Sequence, residues 1–241
     1  MDYYKKMFKQ KQLHKFKDLK TESVNGKRHY VLPNGGLYPS ITTILGWFKA
    51  KAIKEWREKV GEEEANKVAV QSSRRGTAVH QICEDFLSNK EDLYLKHMPN
   101  NVVMFKSIKP ILERNIKVVH HQEVPLYSNK LSIAGRVDCI CTWGDKPAIV
   151  DFKTSRKPKK EEWIQDYFEQ CSAYSIMFEE MSGIHIPDIK IVMAVENNEP
   201  MVFEKKIYDY VPELLKKLET YKSYYEQKQQ DKLLANAGSP F

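Results

Sequence analysis

The sequence predicts an α/β fold in which a mixed central sheet is flanked by helices, with a hairpin and further helices added at the N-terminus. Three observations predict it. Val79, Ile82, Cys83, Phe86 and Leu87 fall at i, i+3, i+4, i+7 and i+8, the apolar stripe of a helix lying on a core. Three strand-like runs follow between residues 116 and 153. A second long helical pattern, 161 to 180, then leads to two more strand-like runs, 189 to 196 and 201 to 208. A chain of 241 residues can bury a full core. We expect a single domain: residues 1–73 form a basic N-terminus, hairpin and helical arch, 74–208 the core, and 209–241 a C-terminal helix and tail.

Taken in order, Lys5, Lys6, Lys9, Lys11, Lys15, Lys17 and Lys20 crowd the start, as a short helix or a frayed tail. Residues 27 to 38 read as a hairpin, with Asn34-Gly35 supplying the positive φ angles of its turn. Ser40 is placed to cap a short helix through Ile41, Ile44 and Leu45. A second helix through Trp56 and Val60 and a third from 62 to 73 are highly charged, and are expected outside the core as an arch or lid. Arg75-Gly76-Thr77 precede the striped helix, where Gly76 would let the backbone approach something closely. His80 and Glu84, four apart, flank the stripe.

A helix from 101 to 114 leads into a strand from 116 to 127, bent near His120-His121. In the next strand, 131 to 143, the odd positions read as core-facing, while Arg136 and Asp138 face the other way. Gly144-Asp145 turns the chain into a third strand, 148 to 153. There Asp151 and Lys153 share a face with Ile149, opposite Val150 and Phe152. The helix from 161 to 180 collects Trp163, Tyr167, Cys171, Met177 and Phe178 on a broad apolar face, from within which Gln170 and Tyr174 project. A charged helix from 211 to 234 ends the chain.

Hydrophobic residues make up 41% and charged residues 29%, an ordinary globular composition. No apolar run approaches the roughly 18 residues of a membrane span, and the first residues carry no apolar signal core. A cytoplasmic, non-secreted protein with no membrane partner is therefore expected. The net charge of +7 is clustered, at the start and again at Lys153, Arg156, Lys157, Lys159 and Lys160, which suits a phosphate backbone. Cys83, Cys139, Cys141 and Cys171 lie inside regular elements without metal-ligand spacing and read as core packing.

Asp138 and Asp151 on neighbouring strands offer hard oxygen ligands for Mg²⁺ or Mn²⁺, to which the Phe152 carbonyl can add a third. Residues two apart on a strand point the same way, about 6.6 Å apart, so Lys153 can stand beside such a metal. Its ammonium could then hold or activate a water and offset charge on phosphorus oxygens. Two buried carboxylates with no cation would repel until one took up a proton.

Gly135-x-x-Asp138, Asp151-x-Lys153 and Gln170-x-x-x-Tyr174, in the order helix, three strands, helix, strand, resemble the PD-(D/E)XK nuclease superfamily with its restriction-endonuclease-like core. Arg75-Gly-Thr-x-x-His80-x-x-x-Glu84 narrows the resemblance to the RecB-like exonuclease branch. Pro39-Ser-Ile-Thr-Thr-Ile-Leu45 before a Trp-containing helix is similar to mitochondrial genome maintenance exonucleases and their phage relatives. The resemblance covers about residues 38 to 195. It implies that His80, Asp138 and Asp151 are metal ligands with the Phe152 carbonyl, that Lys153 is the catalytic lysine acting with Asp138 and Asp151, and that Glu84 and Glu123 touch a second metal directly or through water. Gln170 and Tyr174 would position the DNA backbone or the motif strands, and Arg75, Thr77, Thr154, Ser155, Arg156 and Lys157 would contact DNA.

The implied activity is that of a Mg²⁺- or Mn²⁺-dependent deoxyribonuclease, an exonuclease on single-stranded ends that thread the arch. It would act as a monomer in replication, repair or recombination, with proteins of those processes as partners. Some relatives hold an iron–sulfur cluster on four cysteines, three of them near the C-terminus; this chain has none after Cys171, so no cluster is expected. Two other readings stay open: an inactive DNA-binding module of the same fold, and a structure-selective endonuclease within a larger complex.

Overall fold

A computed structural model of the chain describes residues 7–237. Lys5 and Lys6 of the expected basic cluster lie outside them. From residue 7 on, among the described residues, the lysine-rich start forms no helix and is held against the fold. β1 (Lys9–Gln10) pairs in parallel with β5 (Ile116–Ser128). Phe8 and Leu19 are buried, and Leu13 and Phe16 pack on the core between them. These spaced apolar residues anchor a segment whose lysines would otherwise keep it in water.

β2 (Thr21–Val24), β3 (Lys27–Val31) and β4 (Leu37–Pro39) make a small antiparallel sheet. The sequence reading anticipated β3 and β4 and missed β2, although Asn25-Gly26, with φ of 51° and 72°, is a strong two-residue hairpin signal. In the β3–β4 turn only Gly35 takes a positive φ, 83°. Asn34 serves instead through its side chain, which accepts from the Gly36 N–H at 3.0 Å.

α1 (Ile41–Val60) starts where expected, with the Ser40 hydroxyl accepting from the Thr43 N–H at 3.1 Å. It runs unbroken through two predicted helices. α2 (Glu62–Leu87) likewise merges the predicted third helix with the striped one. Gly76 costs a helix interior only about 1 kcal/mol, too little to end it, whereas Gly61 at φ 88° does separate α1 from α2. The stripe is buried as expected, while Ile53, Trp56, Val60 and Val70 remain exposed on the helix pair.

α3 (Pro99–Asn115) precedes β5, β6 (Ile133–Trp143) and β7 (Lys146–Ser155). A 3₁₀ turn at Glu161–Trp163 then leads into α4 (Gln165–Ser182), followed by β8 (Asp188–Val195), β9 (Met201–Lys206) and α5 (Val211–Ala237). Trp163 does not join the α4 apolar face as predicted: the 3₁₀ turn swings it out to 58% exposure. The main sheet has the order β1-β5-β6-β7-β8-β9, with parallel pairs β1–β5 and β7–β8 and antiparallel pairs elsewhere.

Helices cover both faces of this sheet, so it carries two apolar cores. One gathers α1, α4 and α5 residues with Ile149, Ile189 and Ile191; the other gathers α2 and α3 residues with Val150, Phe152 and Val192. The bend expected near His120-His121 appears as a register shift between Val119 and His121. The parity read for β6 needs correcting. Ile133 and Val137 belong to the α4-side core, but Cys139, Cys141 and Trp143 belong to the other. The switch falls at Asp138, between the register pairs Gln122↔Cys139 and Val124↔Val137, where Glu123 has a φ of 49° that puts it in the left-handed region and disturbs the pleat. Among the described residues no helix is long and apolar enough to cross a membrane.

Candidate active site

The site forms where two strands part. β6 and β7 are paired from Trp143↔Lys146 to Cys139↔Val150 and no further. Beyond that point β6 stays with β5, while β7 stays with β8 as far as Ser155↔Val195. The next residue on each strand at this fork is an aspartate. Asp138 takes the place of a ladder partner, its Oδ2 accepting from the Phe152 N–H at 2.8 Å. From α2, His80 brings Nδ1 to 3.3 Å from the same oxygen. Ligand atoms of His80, Glu123 and Asp138 all lie within 4.8 Å of one another.

Asp151 is fully buried. Its Oδ1 accepts from Gln170 Nε2 at 2.9 Å, and Nε2 also donates to the Tyr174 hydroxyl at 3.0 Å. Its Oδ2 meets the Lys153 ammonium but accepts no directed hydrogen bond among the described residues. Lys153 in turn lies 4.9 Å from the centre of the Tyr167 ring. Tyr174 packs under β6 at Gly135, where a Cβ would stand 2.6 Å from Tyr174 Cε1 and 3.2 Å from Ile41 Cγ2. Only glycine fits there.

The electrostatics are those of crowded carboxylates. Burial pushes Asp151 up to about 6; Lys153 opposes the rise and Asp138 adds to it. Glu123 is pushed up to about 7, first by burial and then by Asp138 and Glu84. Burial works against the Lys153 ammonium, but the Asp151 and Asp138 carboxylates outweigh it and hold the group above the ordinary lysine range. An imidazole and two carboxylates in one group fit a hard divalent cation. His80, Glu123 and Asp138 would hold it.

The other predicted residues fall around this centre. Glu84, one turn along α2 from His80, bonds to Gln81 at 3.1 Å and lies outside the group of three. Phe152 turns its ring into the α2-side core and spends its N–H on Asp138. Arg75 reaches Thr154 Oγ1 with Nε at 3.5 Å and Glu196 with Nη1 at 3.8 Å. Thr77 is exposed on α2. Ser155 is buried, and its hydroxyl closes a turn, donating to the Lys157 carbonyl at 2.6 Å. Arg156 and Lys157 are exposed. Of the two roles expected for Gln170 and Tyr174, their geometry suits bracing the motif strands; at 8% and 2% exposure neither offers a surface to DNA. A Cβ on Gly76 would meet only Thr154 Oγ1, at 3.9 Å, so packing inside the chain does not require that glycine.

Two participants escaped the sequence reading. Tyr167, beside Lys153, was read as core only, although its spacing of three from Gln170 and seven from Tyr174 put it on their face. Glu196 carried no signal, because its approach to Arg75 depends on how α2 lies across β7 and β8. The four cysteines are buried in the two cores.

Residues 48–239 match a family described as the PD-(D/E)XK nuclease superfamily, well over half of the chain. Mitochondrial genome maintenance exonuclease 1 of Homo sapiens is 26% identical over 142 residues, covering 54% of this chain and 40% of that protein. Its Xenopus tropicalis counterpart is 26% identical over 150 residues, covering 58% and 42%. The match thus spans less than half the length of these curated relatives. Among solved structures, SSO0001 aligns with a TM-score of 0.42 at 15% identity, covering 77% of this chain and 75% of that one.

Proposed function

The chain belongs to the PD-(D/E)XK nuclease superfamily, and from that premise we propose that it is a metal-dependent DNA exonuclease. In this reading it hydrolyses phosphodiester bonds at single-stranded ends in DNA replication, repair or recombination, as a monomeric, single-domain cytoplasmic protein. The observation that carries the proposal is the fork between β6 and β7, with Asp138, Asp151, Lys153 and His80 converging on it.

The residues divide the work. His80, Glu123 and Asp138 supply the donor group for a divalent cation. Asp151, held by Gln170, pins the Lys153 ammonium. When bound, Mg²⁺ or Mn²⁺ supplies Lewis acidity at the phosphate and lowers the pKa of a coordinated water. Lys153 stays charged, so it orients an attacking water and stabilises negative charge building on the phosphate oxygens. Arg75, Arg156 and Lys157 offer positive charge to the phosphates on either side. The exposed outer parts of α1 and α2 support an arch that admits a single strand, and the relatives' designation as exonucleases supports attack from an end.

The test is cleavage of end-labelled single-stranded DNA with Mg²⁺ or Mn²⁺. Wild type is expected to shorten it from an end, chelation to stop it, and Lys153→Ala to slow it by about 100-fold or more. Equal cleavage by Lys153→Ala would remove the lysine from the mechanism. Cutting of covalently closed single-stranded circles would replace an exonuclease with an endonuclease.

A further inference from the structure

Trp163 is the largest side chain that the sequence pattern assigns to the core and the fold leaves in water, at 58% exposure. A single exposed aromatic is ordinary in itself. Its surroundings are less so. It stands three residues after the basic run, where Arg156, Lys157, Lys159 and Lys160 form no ion pair among the described residues; the Lys160 ammonium lies 5.6 Å from the Trp163 ring. The nearby acids are largely neutralised, Glu161 by Lys205 at 2.6 Å and Asp166 by Lys49 at 2.6 Å, leaving Glu162 exposed. Trp163 also lies four residues before Tyr167, whose ring carries Lys153 at 4.9 Å. The indole therefore stands on the connection between β7, which carries Lys153, and α4, which carries Tyr167 and Gln170, next to cations that form no ion pair among the described residues.

We propose that Trp163 is a stacking platform for an unpaired nucleobase of the single-stranded substrate, with Arg156, Lys157 and Lys160 holding the adjoining phosphates. This rests on the nuclease reading and adds the residue that selects single strands. A flat π-face accepts any base that is free of its own stack, and cations beside it track the backbone. A base inside a duplex is already stacked and has no face to offer. Trp163 thus discriminates by strand state, not by sequence.

Binding is the direct test, measured by fluorescence anisotropy with a labelled oligothymidylate and no divalent cation, so that the answer does not depend on cleavage. Trp163→Ala is expected to weaken single-strand binding about tenfold while leaving blunt duplex binding unchanged, and Trp163→Phe to restore most of it. In the cleavage assay the alanine variant should raise KM by a similar factor with kcat within about twofold. Circular dichroism checks the fold, and the exposure of Trp163 makes a folding defect in the phenylalanine variant separable. Unchanged single-strand affinity in Trp163→Ala overturns the proposal, as does an equal loss on single strands and duplex. If wild type binds single strands through Trp163 yet cuts nothing, the platform stands and the nuclease reading falls.

Discussion

The candidate active site is held by a short relay of contacts from Asp151 through Gln170 and Tyr174 to Gly135. Asp151 is a buried carboxylate, and each donor it keeps offsets part of the cost of burial. Gln170 can hold Oδ1 only while the Tyr174 hydroxyl holds Gln170, and the Tyr174 ring can lie there only because residue 135 has no Cβ. Gly135→Ala is therefore expected to destabilise the fold by about 1–3 kcal/mol, read by urea denaturation, and to lower kcat because the ring pushes Gln170 off Asp151. Gly135→Ala combined with Tyr174→Leu should recover part of the stability and none of the activity. If Gly135→Ala is as stable and as active as wild type, the relay is not what positions Asp151. Gly135, Gln170 and Tyr174 were all legible as motif positions. That they touch was not, since only the packing of α4 beneath β6 brings them together.

At the scale of elements, pattern served well where one period ran undisturbed and poorly at boundaries. The α2 stripe, α3 and β7 formed where the sequence predicted them. The breaks expected within α1 and α2 did not form, because charged but helix-favouring sequence carries on through them. The segment after β1 was illegible for a different reason: its hold on the fold comes from a distant residue. His121 Nε2 accepts from the N–H groups of Leu13 at 3.2 Å and His14 at 3.4 Å, with Phe16 and Phe178 against the ring. Only a ring with Nε2 unprotonated can do this. Its pKa is lowered from 6.5 to about 4, mainly by burial, with His120 and His14 adding. The folded state thus prefers the neutral ring. The stability this latch contributes is complete above the ordinary pKa of 6.5 and is lost as pH falls through about 4. Hydrogen exchange, corrected for intrinsic rates, is expected to show residues 11–19 losing protection in acid before the central strands do. His121→Gln, which keeps an acceptor without a proton to gain, should hold the segment in place. Identical acid profiles for the two proteins would place the latch elsewhere.

Across the whole molecule, the candidate metal centre is a property of the assembled fold. His80 comes from α2, Glu123 from a left-handed position in β5 and Asp138 from β6. Sequence reading offered Asp138 as a ligand from its strand and took His80 and Glu123 from resemblance, Glu123 at a second metal; the fold instead gathers it with His80 and Asp138, and no propensity marks a residue whose φ of 49° belongs to a disturbed pleat. That Asp151 and Lys153 share a face was legible from strand parity, which survives because β7 is paired with β8 without a break, but Asp151, expected as a metal ligand, lies outside the group of three. An unfolded chain holds these donors far apart, so a cation that binds them stabilises only the native state. At a concentration about 100 times its dissociation constant, Mn²⁺ or Mg²⁺ is expected to add about 2.7 kcal/mol, or roughly 5–10 °C of melting temperature for a chain of this size. Asp138→Asn should abolish that shift without unfolding the protein. Glu123→Gln should shrink the shift while raising the metal-free melting temperature, because it removes a carboxylate that burial first, and then Asp138 and Glu84, push up to about 7. A full cation-dependent shift in Asp138→Asn would mean that the ion binds away from the fork, and the carboxylates there would need another explanation.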